Sequence, residues 1–382
     1  MSPIDPRLER HRPALVYDPQ EGYRAMSAAS ITDYDDNLLR RGKGAVVARA
    51  GAGLSLALLS TYDVEDGDRL DEVGDPLAAS RRFQGDAAYR ERVYGRVKED
   101  GGRVWLQYWL WSYYNPKHLL GLGKHEGDWE VVQVGLSDDG EPEVATFSQH
   151  EGGEARSWDK MRRQGDHPIV YVAPLSHACY FEPGAHPYVV GVDNPDGSLP
   201  PVLPQVEPFG AWDDWTGRWG SSTGVGSRFL RGPLAGRFGG RSPASPGRQT
   251  QKWDHPNAWH LRARAATPFR QARRVVRAIG TATYPKLLAI EARREGDRVL
   301  VDYRLDPAPQ RRASRLLVTL HRPDREAQLL ASCPEEVEGT QGTVDVPLDP
   351  AVEGDVVVRA SAYNALRQRS DPLETVARPT PA

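Results

Sequence analysis

The chain predicts a mostly β protein: an N-terminal β-sandwich-like domain with long loops and few helices, followed by a small C-terminal β-sandwich. Three observations carry this. The 382 residues include 37 Gly and 31 Pro with only 39% hydrophobic residues, a composition of many turns rather than long helices. Apolar runs of strand length recur between turn signals. After Tyr284 the alternation of apolar and polar residues becomes regular. The net charge of −3 gives no basic field for nucleic acid, so no nucleic-acid partner is expected.

Taken in order, HRPALVYDPQ reads as a short strand and a turn. The run from Gly44 to Ser60 is apolar but short and carries Arg49; it predicts a buried helix or strand pair and no membrane span. ERVYGRV and RVWLQYWLWSYYN form two strands about the turn KEDGG, the second buried on both faces. EVVQVGL and EVATFSQ flank SDDGEP, a hairpin turn. PIVYVAPLS is a further strand. Ser221 to Arg248 is a basic loop rich in Gly, Ser and Pro. An arginine-rich helix over Pro268 to Ile279 bridges to LLAIEARREGDRVLVDYRL, RLLVTLHRP, GTVDVPL and DVVVRASAYNALRQRSDP, the pattern of a small sandwich. The expected units are 1–262, a helical linker over 263–282, and 283–378. The first residues lack an apolar leader core, and Cys179 and Cys333 are far apart, so a cytoplasmic location without a disulfide framework is expected.

The chemistry concentrates in KHEGDWE. On a strand, Asp128 and Glu130 share one face and Trp129 takes the other, with His125 in the loop above. Two carboxylates and an imidazole at a strand mouth suit a divalent cation, and His118 is a further candidate ligand. Mixed nitrogen and oxygen donors leave Mg, Mn, Ca and Zn open. His150 in FSQHEGG and His177 in LSHACY end neighbouring apolar runs and are candidate general bases. A plain alternative is that these are buried, hydrogen-bonded fold determinants.

RPALVYDPQEGY, VWLQYWLWSYYN, HEGDWEVVQV, FSQHEGG, VYVAPLSHACYFEPG, WTGRWG and KWDHPNAW together resemble the vacuolar protein sorting-associated protein 62 family over most of residues 12–260. KHEGDWE is also similar to the heptapeptide GHRHDWE of necrosis- and ethylene-inducing peptide-like proteins. It keeps the spacing of His125, Asp128 and Glu130, with His118 in PKH standing where that family has an aspartate. That resemblance implies a cytolysin-like β-sandwich that binds a divalent cation and a sphingolipid. The closing strands resemble fibronectin type III or immunoglobulin-like modules.

Three functions follow. The first is a metal-dependent hydrolase of an ester or phosphate, with His150 or His177 as base and the cation on His125, Asp128, Glu130 and His118. The second is a binding protein in which the same ion organises a lipid head group or glycan, with Trp212, Trp215 and Trp219 as stacking surfaces. The third has no ligand at all. Oligomeric state is not encoded in any pattern of the chain.

Overall fold

A computed structural model of the chain describes residues 4–42, 44–62, 64, 68–116, 124–150, 152–188, 191–221, 242–266, 281–323, 325–366 and 368–379. The fold is mostly β. A short helix, α1 (Pro6–Arg10), starts on Asp5, whose carboxylate accepts the Arg7 N–H. Then come β1 (Ala14–Val16), α2 (Ser30–Asp33), β2 (Leu38–Arg41), β3 (Ala45–Ala50), β4 (Gly53–Leu54) and β5 (Arg69–Asp71). Helix α3 (Pro76–Gly85) is capped by Asp75, with Pro at its first position.

The long strands follow: β6 (Arg92–Asp100), β7 (Arg103–Asn115), β8 (His125–Leu136), β9 (Pro142–Gln149) and β10 (Gly152–Ser157). Gly101 and Gly102, with φ of 62° and 74°, make the tight β6–β7 turn that KEDGG predicts. Shorter strands complete the region: β11 (Arg163–Gln164), β12 (His167–Val172), β13 (Cys179–Tyr180), β14 (His186–Tyr188), β15 (Gly191–Asp193) and β16 (Gln205–Pro208). Helices α4 (Thr250–Trp253) and α5 (Pro256–Ala265) close it.

The central sheet has six strands in the order β10-β9-β8-β7-β6-β16. The strands ending at Asn115, starting at His125 and ending at Gln149 are neighbours in it, as expected. Both faces are covered. On one, Trp109, Trp111, Tyr113, Trp129 and Val131 pack with the β4-β3-β2-β5 sheet and with Trp212, Trp215 and Trp219. On the other, Leu106, Tyr108, Leu110, Val132, Val134 and Phe147 pack against β1, β12 and β13, with Phe147 stacked on Phe181 at 3.8 Å between centroids. Period-two alternation thus feeds two cores from the same strands.

Two expectations are corrected here. The 44–60 run is not a buried unit: it gives β3, β4 and a 3-10 turn at Leu56–Thr61, and Val46 and Val47 are exposed at 39% and 37%. Trp212, Trp215 and Trp219 are not stacking surfaces for a ligand; they are 4%, 3% and 0% exposed, inside the first core. The helix over 268–279 lies outside the described residues, as does 222–241 of the basic loop.

The C-terminal strands are β17 (Leu287–Glu295), β18 (Arg298–Leu305), β19 (Arg315–Arg322), β20 (Arg325–Glu336), β21 (Gln341–Pro347), β22 (Val356–Tyr363) and β23 (Leu373–Ala377). They form a three-stranded sheet, β17-β18-β21, over a four-stranded one, β20-β19-β22-β23. Val299, Val301, Leu316, Val318, Leu320, Val356 and Val358 alternate into a core of their own. The outer face of the four-stranded sheet meets the N-terminal region. There Arg369 pairs with Asp196 at 2.9 Å, both side chains buried, and Tyr363 donates to the same carboxylate at 2.7 Å.

We propose that 283–378 folds by itself. Cut free, Arg369 gains water in place of Asp196, so no uncompensated charge remains buried. The fragment should unfold in one cooperative transition followed by far-UV circular dichroism; a featureless melt would refute the boundary.

His260 of α5 sits buried against β9, with its Nδ1 2.7 Å from the Thr146 hydroxyl, and tilted over Trp105. Burial, with the Arg103 and Arg264 charges added, pushes its pKa down from 6.5 to about 4. The folded state therefore resists a proton that the unfolded state accepts. Stability is full above about 6.5 and is lost as pH falls towards 4, a loss on the order of 2–3 kcal/mol. Urea denaturation of His260→Gln at pH 7 and 4.5 should show a shallower acid loss than the parent protein; equal losses would exclude His260 as its source.

Candidate functional site

The site stands at the end of the central sheet where β7 stops, β8 starts and β9 stops. Register places Asn115 opposite His125, Ser112 opposite Asp128 and Leu110 opposite Glu130. Gly127 lies between, at φ 63°. Its left-handed backbone sends neighbouring carboxylates to opposite sides. Glu126 turns to the first core, where its Oε2 accepts the N–H groups of Glu72 and Ser221 at 3.0 and 2.8 Å. Burial pushes the Glu126 carboxyl up to about 8. Asp128 and Glu130 turn the other way, with Trp129 behind them, as the alternation predicts.

Asp128 Oδ2 accepts from Nδ1 of His177 at 3.0 Å and from the Asn115 amide at 2.8 Å. Burial alone would raise its pKa. The His177 bond, the charges of His125 and His177 and the Asn115 amide outweigh that and hold it below the usual carboxylate value. Glu130 accepts from the Ser148 hydroxyl, which itself accepts the Val131 N–H at 2.7 Å. Burial pushes Glu130 up to about 7; Lys252 opposes this and the neighbouring Asp128 charge adds to it. Among the described residues, Oδ1 of Asp128 and Oε1 of Glu130 accept no hydrogen bond.

A second carboxylate lies beside this pair. Asp193 of β15 accepts from Nε2 of His150 at 2.7 Å, from the Tyr180 hydroxyl at 2.7 Å and from the Ser176 hydroxyl at 2.8 Å. Burial lowers the affinity of both histidines for a proton, but their bonds to Asp193 and Asp128 and the surrounding carboxylate charges reverse this, and both pKa values are raised. A carboxylate can only accept, so each ring donates from the bonded nitrogen. Nε2 of His177 is buried and has no partner among the described residues. His125 donates Nδ1–H to the Gly127 carbonyl at 2.7 Å, which leaves Nε2 as its outer nitrogen.

The backbone is strained here. Four non-glycine residues have positive φ among the described residues, and three belong to the site: His150 at 53°, Leu175 at 68° and His177 at 55°. Each costs of order 1–3 kcal/mol and persists only where neighbours over-determine it. Leu175 is held by its N–H bond to Glu21 Oε2 at 2.7 Å, and His177 by its N–H bond to the Ala173 carbonyl at 3.0 Å.

The structure therefore brings His125, Asp128, Glu130, His150 and His177 to one end of the sheet. His118 lies outside the described residues. Among the described residues no group of three or more His, Cys, Asp or Glu side chains is disposed to hold a metal ion. Sequence reasoning placed Ser176 beside His177 at a strand end but missed Asn115, Ser148 and Asp193 as partners. Ser148 and Ser176 stand beside the singled-out histidines, where a hydroxyl next to a strand-end imidazole was the available signal; Asp193 in GVDNPDG carries none.

No family model matches the chain, and no curated protein matches it. Solved structures do. Necrosis and ethylene inducing protein 2 from the causal agent of cocoa's Witches Broom disease is 15% identical over 54% of this chain and 74% of that one, at a TM-score of 0.30. NLPPya in complex with glucosamine is 18% identical over 55% and 76%, at 0.29. Wild-type OgpA from Akkermansia muciniphila is 11% identical over 25% and 28%, at 0.20. The first of these bears the name of the proteins that KHEGDWE resembles; the vacuolar sorting resemblance gains no match. Among the described residues no helix is long and apolar enough to cross a membrane.

Gly127 gives the sharpest test of how the site is built. A Cβ there would run into the Trp111 ring and the Trp219 carbonyl oxygen, on a backbone that L-residues avoid. Gly127→Ala should cost about 3 kcal/mol or more and misplace Glu126 and Asp128 together. Gly140, also left-handed at φ 84° but with open space around it, should lose only about 1 kcal/mol on the same change. Equal losses in urea denaturation would show that the tight approach at Gly127 is unimportant.

Proposed function

We propose that this protein binds a polar ligand, a lipid head group or glycan, at the Asp128–Glu130 mouth, with a divalent cation organising the contact and no bond broken. The observation that carries this is Nε2 of His177: a buried nitrogen without a hydrogen-bond partner among the described residues, on strained backbone, beside two carboxylates that each keep one oxygen uncommitted. A buried polar atom left unpaired costs about 1–3 kcal/mol, which a hydroxyl group of a ligand would recover.

The described side chains form no group of three disposed to hold an ion, so a cation here would rest first on Asp128 and Glu130, which share a face and each keep one oxygen uncommitted, with the outer nitrogen of His125 beside them. They would hold the ion, with His118 as a fourth candidate, and the ion would supply positive charge to a ligand hydroxyl or phosphate oxygen. Its identity among Mg, Mn, Ca and Zn follows from no feature of the site.

Titration calorimetry of protein freed of chelator should show saturable binding of one of the four cations. Asp128→Asn and Glu130→Gln should each weaken it by at least about tenfold, the loss known for groups one step removed from an ion. Both variants should lower the melting temperature chiefly when the ion is present. Equal destabilisation with and without chelator would make the acids purely structural. Turnover in an ester and phosphate panel that disappears in His177→Gln would restore the hydrolase reading.

A further inference from the structure

A cavity of about 120 Å³ lies where the outer face of the β19–β22 pair meets Pro183, Gly197 and Ser198. Strand alternation builds one wall. Leu316, Val318, Val358 and Ala360 point into the sandwich core, so Thr319, Arg359 and Ser361 point out of it. Arg369 and Ser198 close the floor. Arg369 is 2% exposed, Ser361 6% and Ser198 8%.

Two buried donor groups here make no hydrogen bond of ordinary geometry among the described residues. Arg369 spends its terminal nitrogens on Asp196, Asn194 and the Pro195 carbonyl, while its buried Nε has no partner among the described residues. The buried Ser198 hydroxyl makes no hydrogen bond of ordinary geometry among the described residues, though it lies near enough to Asp196 to help lower its pKa, and the Ser198 backbone N–H is already committed to Asp196. Arg359 Nε holds Glu374 at 2.6 Å and its Nη1 reaches the Gly197 carbonyl at 3.4 Å. Arg162 stands at the rim, paired with Glu182 at 3.2 Å. Glu374 is a weak holder of its place: its side chain is 45% exposed and swings into water at little cost.

We propose that this cavity binds a small tetrahedral oxyanion, sulfate- or phosphate-sized, between the two parts of the chain. The anion accepts from the hydroxyls of Ser198 and Ser361 and from Arg369, and displaces Glu374 as the partner of Arg359. Planar guanidinium donors and hydroxyls converging on one space are what an oxyanion needs once Glu374 swings out, and the volume admits such a group. The same chemistry serves a free anion or a sulfate or phosphate monoester whose remainder projects into solvent.

The full-length protein is titrated calorimetrically with sodium sulfate, sodium phosphate and methyl phosphate, against sodium chloride at matched ionic strength. Saturable binding of at least one oxyanion, and none of chloride, is expected. Methyl phosphate binding as tightly as phosphate assigns a monoester; its exclusion assigns the free anion. The double variant Ser198→Ala, Ser361→Ala keeps every ion pair, so its fold is secure; it should bind about tenfold more weakly, and Arg359→Gln likewise. Glu374→Gln removes the competing carboxylate and should bind more tightly. No saturable binding by any of the three probes, unchanged affinity in the double serine variant, or weaker binding in Glu374→Gln, as a neutral hydroxylated ligand would show, each overturns the proposal. Asp128→Asn should leave this binding untouched, which separates it from the function proposed for the other site.

Discussion

Burial of the β7–β8 pair on both faces is the constraint from which the rest of the N-terminal region follows. A surface sheet can carry charged groups anywhere along its outer face. This one cannot, because Trp109 and Trp111 fill one side while Tyr108 and Leu110 fill the other. Polar chemistry is therefore pushed to the strand ends, where His125, Asp128 and Glu130 stand at the start of β8 and His150 just past the end of β9. Even there the groups are nearly dry, and each carboxylate is matched by an imidazole, amide or hydroxyl.

The polar end is arranged as two parallel dyads, Asp128 with His177 and Asp193 with His150, with Glu130 alone among hydroxyl and amide neighbours. Asp128 and Asp193 each have an imidazole within hydrogen-bond distance, while Glu130 has the Ser148 hydroxyl. What remains unbalanced is hydrogen-bonding capacity on one side of the cluster.

Much of this was legible in the chain. Alternation in RVWLQYWLWSYYN and EVVQVGL gave the strands, SDDGEP gave the turn, and the i, i+2 spacing of Asp128 and Glu130 gave their common face. The C-terminal alternation gave five strands, while β20 and β23 went unread because Pro334 and the charged residues around them blur the period. Trp212, Trp215 and Trp219 looked like surface aromatics because their neighbours are Asp, Gly and Arg. Only the tertiary fold shows that the rings turn inward while Asp214 and Arg218 turn out. The partners Asn115 and Asp193 come from distant stretches, and local spacing holds no trace of a contact that the sheet topology creates.

The Asp196–Arg369 pair joins residues 173 positions apart. Synthesis proceeds in one direction, so the carboxylate leaves the ribosome long before its counter-charge exists. At ordinary translation speeds the interval is roughly ten to thirty seconds, long compared with the folding of a small domain. During it, the segment from Asn194 to Ser198 has no reason to bury its acid and keeps it hydrated. The junction is thus the last piece of the molecule to set, and a nascent chain halted before Arg369 holds an N-terminal region complete in its sheet but still open along that edge.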